Sequence, residues 1–403
     1  MFGRWLAFIG ALGALPACTE SAPLRIPETT PNSAEAPEAK FSAEEHGWQA
    51  VTASPVAPND AVADATLGQR CGRRDGALEQ VAARIAGRGE GSTTPEVAAI
   101  AYGLRRYGAP YVWPRAWVLE GGNARSGAEA RMEEWLASFS RVGDRRCGVA
   151  TVREPSGREV VVALVADVLA DMEPLPTVVG AGTWLDLRVR LLVPASAVQV
   201  VVLGPRGRPF AVPSTMEGSL VRARFRADRP GVWLVQTLAT VTGGPRPVAE
   251  ALVHADVAPR PDFASDEAPG EAAGAKIEDD GEAILAMLNA ARKTEDAPPL
   301  VRHPRLDGLA QEHAQAMNKA QRIAHDLGGG DPGLRVQAAG LDISAAGENV
   351  AHALDPARAH RALWASPSHR ENLLLDRFDS VGIGVAQDDD GSVWVCELFA
   401  DRR

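Results

Sequence analysis

Two tracts with few large apolar residues interrupt this chain and argue against a single continuous core. The first runs from Thr19 to Gly68 and is rich in Pro, Ala, Ser, Thr and Glu; the second runs from Ala258 to Asp280 and carries Pro, Asp, Glu, Ala and Gly. Folding must offset the entropy of ordering each residue by burying apolar area, so such tracts read as a disordered tether and a linker. The 403 residues then divide into segments 1–18, 19–68, 69–172, 173–258, 259–280 and 281–403. That length suits two to four domains.

The N-terminus predicts an address. Arg4 precedes an apolar run over residues 5–14, too short to span a bilayer permanently and readable as the hydrophobic part of a secretion signal. Leu15-Pro16-Ala17-Cys18 follows and resembles a bacterial lipobox, which implies lipidation of Cys18, although Pro16 is an unusual occupant. Acyl chains contribute about 0.8 kcal/mol per buried CH₂, so a multiply acylated cysteine would hold the protein on a membrane. The implied location is the bacterial envelope, in the outer membrane where the organism has one; a plain secretory signal is the alternative. The net charge of −10 and pI near 5.4 offer no basic patch to release phosphate counterions, which argues against nucleic acid.

With Cys18 assigned to lipid, Cys71, Cys147 and Cys396 remain, and an oxidising compartment permits one bridge. Cys71 and Cys147 are the expected pair, because Cys396 lies in an apolar strand and reads as a small buried hydrophobe. Residues 173–258 alternate with period two: Leu185, Leu187, Val189 and Leu191 interleave with Asp186, Arg188 and Arg190, and Val221, Ala223 and Phe225 with Arg222, Arg224 and Arg226. Short strands between Gly/Pro turns predict an antiparallel sandwich of the immunoglobulin or fibronectin kind, with the arginines on its solvated face.

Six of the eight histidines fall between Ile284 and Phe399, among the phrases Ala324-His325-Asp326, Gly347-Glu348-Asn349 and Ser366-Pro367-Ser368-His369-Arg370-Glu371-Asn372. Ser366 and Pro367 suit the cap and first position of a helix, which places His369 in its first turn, where the helix dipole keeps imidazole neutral. Asp355-Pro356 marks another helix start. Leu306, Leu309, Ala310, His313, Ala314, Met317 and Ala320 give the apolar stripe of a third helix. Strands over residues 381–386 and 393–399 close the chain.

This arrangement resembles the CAP superfamily of cysteine-rich secretory proteins, antigen 5 and pathogenesis-related proteins, and best its short bacterial branch, over about 120 residues starting at Leu288-Asn289-Ala290-Ala291-Arg292. The resemblance implies an α/β/α sandwich with a cavity lined by His325, Glu348 and His369, beside Asn349 and Asn372, and often a divalent metal such as zinc on the first three. The second acid of many relatives has no clear counterpart here; Asp326 and Asp331 are the candidates. Two imidazoles and a carboxylate can hold zinc with a position open to water, which would make Glu348 a ligand or base in a hydrolase acting on peptides or peptidoglycan. The same residues also fit a purely hydrogen-bonded network. The leading expectation is a ligand-binding or interaction protein, more a binder than a classical enzyme, whose partner is a small ligand, a lipid or an envelope component. His313 reads as a core residue, His303, His352 and His360 as loop or surface positions, and Arg370 and Asn372 as residues that orient the pocket.

Residues 69–172 show a weak internal repeat of this C-terminal segment. Gly157 to Asp167 aligns without gaps on Gly391 to Asp401, Cys147-Gly-Val-Ala150 parallels Ile383-Gly-Val-Ala386, and Leu78, Ala82 and Ala86 mirror Leu306, Ala310 and Ala314. Gly121-Gly122-Asn123 falls where Gly347-Glu348-Asn349 would, which puts Gly122 in place of the glutamate, and no histidine occurs between Gly47 and Val253. The expectation is a degenerate CAP-like copy stapled by Cys71 and Cys147; an unrelated small α/β domain is the alternative. The whole chain is thus read as multi-domain α+β: an N-terminal small α/β domain, a central immunoglobulin-like β-sandwich and a C-terminal α/β/α domain.

Overall fold

A computed structural model describes residues 62–88, 97–241 and 244–402. The secretion signal, Cys18 and most of the expected tether lie outside the described residues. The chain forms two compact units, one holding the described residues up to Pro205 together with Ala211–Ala264, the other Arg206–Phe210 and the residues from Ser265 onward.

The first unit begins with β1 (Val62–Ala63), α1 (Ala65–Cys71), β2 (Arg73–Arg74), α2 (Gly76–Ala86), α3 (Val97–Arg106), β3 (Arg115–Gly121), α4 (Ala124–Ala137), β4 (Asp144–Arg153) and β5 (Glu159–Val168). The expected tether boundary at residue 68 is too late. Val62 and Ala63 already pair with β4, and the Asp64 carboxylate caps α1 by accepting the Leu67 N–H at 3.0 Å. The strands are ordered β1-β4-β5-β3, with β2 parallel to β4. Leu78, Ile85, Ile100 and Leu104 from α2 and α3 pack on one face of this sheet, and Leu67, Ala128 and Met132 from α1 and α4 on the other. A disulfide joins Cys71 to Cys147, tying α1 to β4.

The rest of this unit holds β6 (Ala170–Met172), β7 (Val178–Val179), β8 (Thr183–Leu191), β9 (Ala197–Leu203), β10 (Phe210–Val212), β11 (Ser214–Glu217), β12 (Leu220–Ala227), β13 (Gly231–Val241) and β14 (Gly244–Ala255). They form two sheets, β10-β9-β13-β14-β7 and β11-β12-β8-β6. Leu187, Val202, Phe225, Trp233 and Val253 share one core, while Arg188, Arg190, Arg222 and Arg224 stay exposed, as the alternation requires. Strand β14 carries Pro247, a residue that argues against strand in sequence; it pairs with Leu238 where the ladder shifts register, a place that tolerates a missing N–H. The sandwich starts at β6, ahead of the expected boundary at 173.

In the second unit, α5 (Asp280–Thr294), β15 (Val301–Arg302), α6 (Pro304–Ala320), α7 (Pro332–Ala338), β16 (Ile343–Ala353), α8 (Pro356–Ala365), α9 (Pro367–Leu374), β17 (Ser380–Gln387) and β18 (Val393–Arg402) follow one another. The sheet order is β15-β17-β18-β16. Leu306, Ala310 and Met317 of α6 cover one face against Cys396 and Leu398; Ile284, Leu288, Leu363 and Trp364 of α5 and α8 cover the other against Val381, Val395 and Phe399. The expected linker at 259–280 is not a free tether. Tyr102 donates to the Arg260 carbonyl at 2.7 Å and Arg84 pairs with Asp262 in the first unit; in the second, Ala268 and Glu271 are buried and Glu271 pairs with Arg361.

The two α/β sheets share strand order and pairing sense. Strand β2 runs parallel to β4 as β15 does to β17, and the antiparallel series β4-β5-β3 matches β17-β18-β16. Gly148 lies opposite Leu164, and Gly382 lies opposite Leu398, its partner in the gapless alignment. Each glycine lets a helix backbone approach the sheet: a Cβ would overlap Leu78 and Glu79 of α2 in one case, Leu306 and Asp307 of α6 in the other. Gly148 therefore matches Gly382, not Gly384 as expected. The same register corrects the place of Glu348. Glu348 faces Leu398 and Ala116 faces Leu164, so Ala116 holds the glutamate's position. Gly122 instead sits in the turn before α4, whose N-cap is Asn123.

Candidate functional site

Glu348 projects from β16 toward α6, with its side chain wholly enclosed. Its Oε1 accepts from His325 Nδ1 at 2.9 Å, with His313 Nε2 at 3.7 Å. Its Oε2 is paired with Arg335 Nη2 and lies 3.4 Å from the Cys396 thiol. Burial acts to raise the Glu348 pKa, but the His325 hydrogen bond and the charges of Arg335 and the nearby imidazoles outweigh it and hold the carboxyl below its usual value. The carboxylate acceptor requires a proton on His325 Nδ1 and so fixes the orientation of the ring and of its Nε2. The His325 side chain is 37 % exposed, so the pocket opens there.

Short-range chemistry positions each participant. Asp331 caps α7 through the Leu334 N–H at 2.9 Å and Pro332 fixes the first turn, while Val336 buries against the sheet; this register carries Arg335 to Glu348. Arg335 also donates to the His325 carbonyl at 3.3 Å, and His313 donates through Nε2 to the Ala324 carbonyl at 2.7 Å. The loop bearing His325 is therefore pinned on both sides. His313, read from sequence as core, is buried and belongs to the pocket as well; burial lowers its pKa, against the pull of Glu348.

Asn349 points to the opposite face of the sheet from Glu348, as successive strand residues must. Its Nδ2 donates to the His369 carbonyl at 3.2 Å and to Glu397 Oε2 at 3.1 Å, and its Oδ1 accepts from Asn372 at 3.0 Å. Asn372 also reaches the Glu348 carbonyl at 3.2 Å. The expectation that these two amides line the cavity is corrected: they staple α9 to β16. His369, in the first turn of α9, has an enclosed Nδ1 without a hydrogen-bond partner. Burial, with His325 nearby, pulls its pKa down to about 4. Among the described residues no hydrogen bond joins it to Glu348. Arg370 donates to the Trp364 carbonyl at 2.7 Å and stacks over that ring. His360, expected at the surface, is buried and bonds the Pro269 carbonyl at 2.9 Å; His352 is exposed, as expected, and stacks on Trp394 with ring centroids 4.1 Å apart.

Residues 285–398 match the family model for CAP, the cysteine-rich secretory protein family. The C-terminal domain is a CAP domain. Among solved structures, this chain is similar to an outer surface protein of Borrelia burgdorferi (24% identity over 31% of this chain and 95% of that one, TM-score 0.30). It is also similar to an extracellular protein containing an SCP domain from Bacillus anthracis (16%, 67% and 92%, 0.29). A cysteine-rich secretory protein of Staphylococcus aureus is a third (9%, 64% and 83%, 0.27). No curated protein matches the chain significantly.

The metal that the family resemblance implies does not fit the residues of this CAP domain. Both Glu348 oxygens are engaged, one by an imidazole N–H and the other by a guanidinium, and among the described residues no group of three His, Cys, Asp or Glu is placed to hold an ion. The candidate second acids are occupied too. Asp326 accepts the Gly328 and Gly330 N–H groups and Asp331 caps α7. Cys396 offers no nucleophile, because burial, followed by the field of Glu348, pushes its thiol pKa well up. What the pocket of this CAP domain presents is one oriented imidazole nitrogen at a mouth, backed by a compensated carboxylate.

Proposed function

We propose that this protein is a bacterial envelope lipoprotein whose CAP domain binds a ligand or partner and catalyses no reaction. The observation that carries this reading is the full engagement of Glu348: a carboxylate whose two oxygens are held by His325 and Arg335, and whose pKa those partners hold down, is a poor base toward water. His325 Nε2 then accepts a hydrogen bond from the bound group. The extracellular nature of the Bacillus anthracis relative and the apolar segment ending at Cys18 support an extracytoplasmic location; no helix among the described residues is long and apolar enough to cross a membrane. The shared strand order and the paired glycines support reading the N-terminal α/β domain as a CAP copy that has lost its pocket, and the two sheets of the sandwich support an immunoglobulin-like spacer.

Two measurements test the reading. The purified chain, incubated with casein and with peptidoglycan with or without added zinc, is expected to release nothing above buffer; metal-dependent turnover abolished by Glu348→Gln would overturn it. For the anchor, metabolic labelling with palmitate is expected to mark the wild type and not Cys18→Ala, and equal labelling would refute lipidation there.

A further inference from the structure

The pocket contains its own cation. A carboxylate removed from water needs an opposite charge, and in metal sites the ion provides it. Here Arg335 occupies that role from inside the chain: its Nη2 bridges Glu348 Oε2 and the His325 carbonyl, and its side chain is only 11 % exposed. The remaining Glu348 oxygen is closed by His325, and His313 spends its Nε2 proton on Ala324. A divalent ion at Glu348 would have to displace the guanidinium or sit beside it against its charge. It would also have to break the contact that holds the His325 loop.

We infer that Arg335 is the built-in counter-cation of this pocket and the residue that excludes divalent metals from it. The inference deepens the binding reading, since it explains why the site is a recognition pocket, but it stands or falls separately: a metal-binding pocket without turnover would sink this inference and leave that reading intact. The position of Arg335 follows from local sequence, because the Asp331-Pro332 start sets the turn of α7 that faces β16. It needs no contact outside the domain.

The test uses the full chain and zinc alone. Isothermal titration and metal analysis after dialysis are expected to find no zinc site in the wild type that depends on His325 or His369. Arg335→Met frees a carboxylate oxygen beside His325 and His313 and is expected to tighten zinc binding roughly 100-fold or more, the scale set by removing one adjacent positive charge. Arg335→Lys keeps the charge and is expected to stay zinc-free. The inference is overturned by one equivalent of zinc on the wild type that His325→Ala or His369→Ala removes, or by a folded Arg335→Met that binds no more zinc than the wild type. Should Arg335→Met fail to fold, the wild type and Arg335→Lys still decide: zinc on the wild type refutes the inference, and so does a folded Arg335→Lys that gains a site.

Discussion

Between β16 and α6 the C-terminal sheet holds Glu348, Cys396 and His313; between β3 and α2 the N-terminal sheet places Ala116, Val162 and Ile85 at the corresponding ladder and helix positions. On the other face, Asn349 opposite Glu397 is answered by Trp117 opposite Ala163. The features both sheets keep are those that packing requires: the order of strands, the parallel first pair, and one glycine, Gly148 or Gly382, where a helix backbone meets the sheet. The features only one keeps are polar. A buried ion pair contributes little net stability compared with well-packed apolar groups, so a sheet of this order can fold without one. The N-terminal sheet has instead a disulfide, which the C-terminal sheet lacks.

The largest contrast should come from the pocket. Glu348→Ala leaves Arg335 buried without its counter-charge and is expected to cost about 3–5 kcal/mol, whereas Ala116→Ser at the matching position should cost under about 1 kcal/mol. Urea unfolding of the two variants measures both, and equal losses would break the comparison. Next, replacing Cys71 and Cys147 by Ala should cost about 2–5 kcal/mol, because the bond closes a long loop in the unfolded chain. Hydrogen exchange should then show lost protection in β4 and β5 and unchanged protection in β17 and β18; loss in both pairs would deny that the staple is local.

A smaller effect tests what the sheets share. Gly148→Ala and Gly382→Ala should each cost about 1–3 kcal/mol through helix displacement, and a neutral result at either would mean that the close approach is not common to both. An effect confined to one end of the pH range concerns Glu397, which is buried with Oε1 unpartnered and whose pKa burial raises to about 7. Since the folded value lies above the unfolded one, its contribution is present below about pH 4.5 and is lost as pH rises through 7. Glu397→Gln should therefore be more stable than the wild type at pH 8, by on the order of 3 kcal/mol, with little difference at pH 4. The same gain at both pH values would assign the effect to shape, not charge.

Much of the C-terminal domain was legible because local rules act there. Asp355-Pro356, Ser366-Pro367 and the stripe from Leu306 to Met317 each specify a helix start or face, and the observed helices follow them. Arg335 was not legible: nothing local distinguishes a buried arginine from a solvated one, and its partner lies on a different element. The Asp331-Pro332 start was the available signal, and counting from it places Arg335 in the first turns of α7. Register was the other loss. The phrase Gly121-Gly122-Asn123 imitates Gly347-Glu348-Asn349 in letters, but it lies where β3 ends and α4 is capped, a place that in the C-terminal domain falls to Ala353 and Asp355, and only the strand pairing reveals that offset. Pro247 hid β14 for a similar reason, since only the paired strand reveals where the ladder shifts.

A crystal structure of the full chain grown in the presence of zinc would test the central claim, two sheets of the same order of which one carries the polar pocket. The prediction is β2-β4-β5-β3 in the N-terminal domain with Ala116 opposite Leu164, and Arg335 bonded to Glu348 without metal in the C-terminal one. A different N-terminal strand order, or zinc on Glu348 with Arg335 displaced, would contradict it.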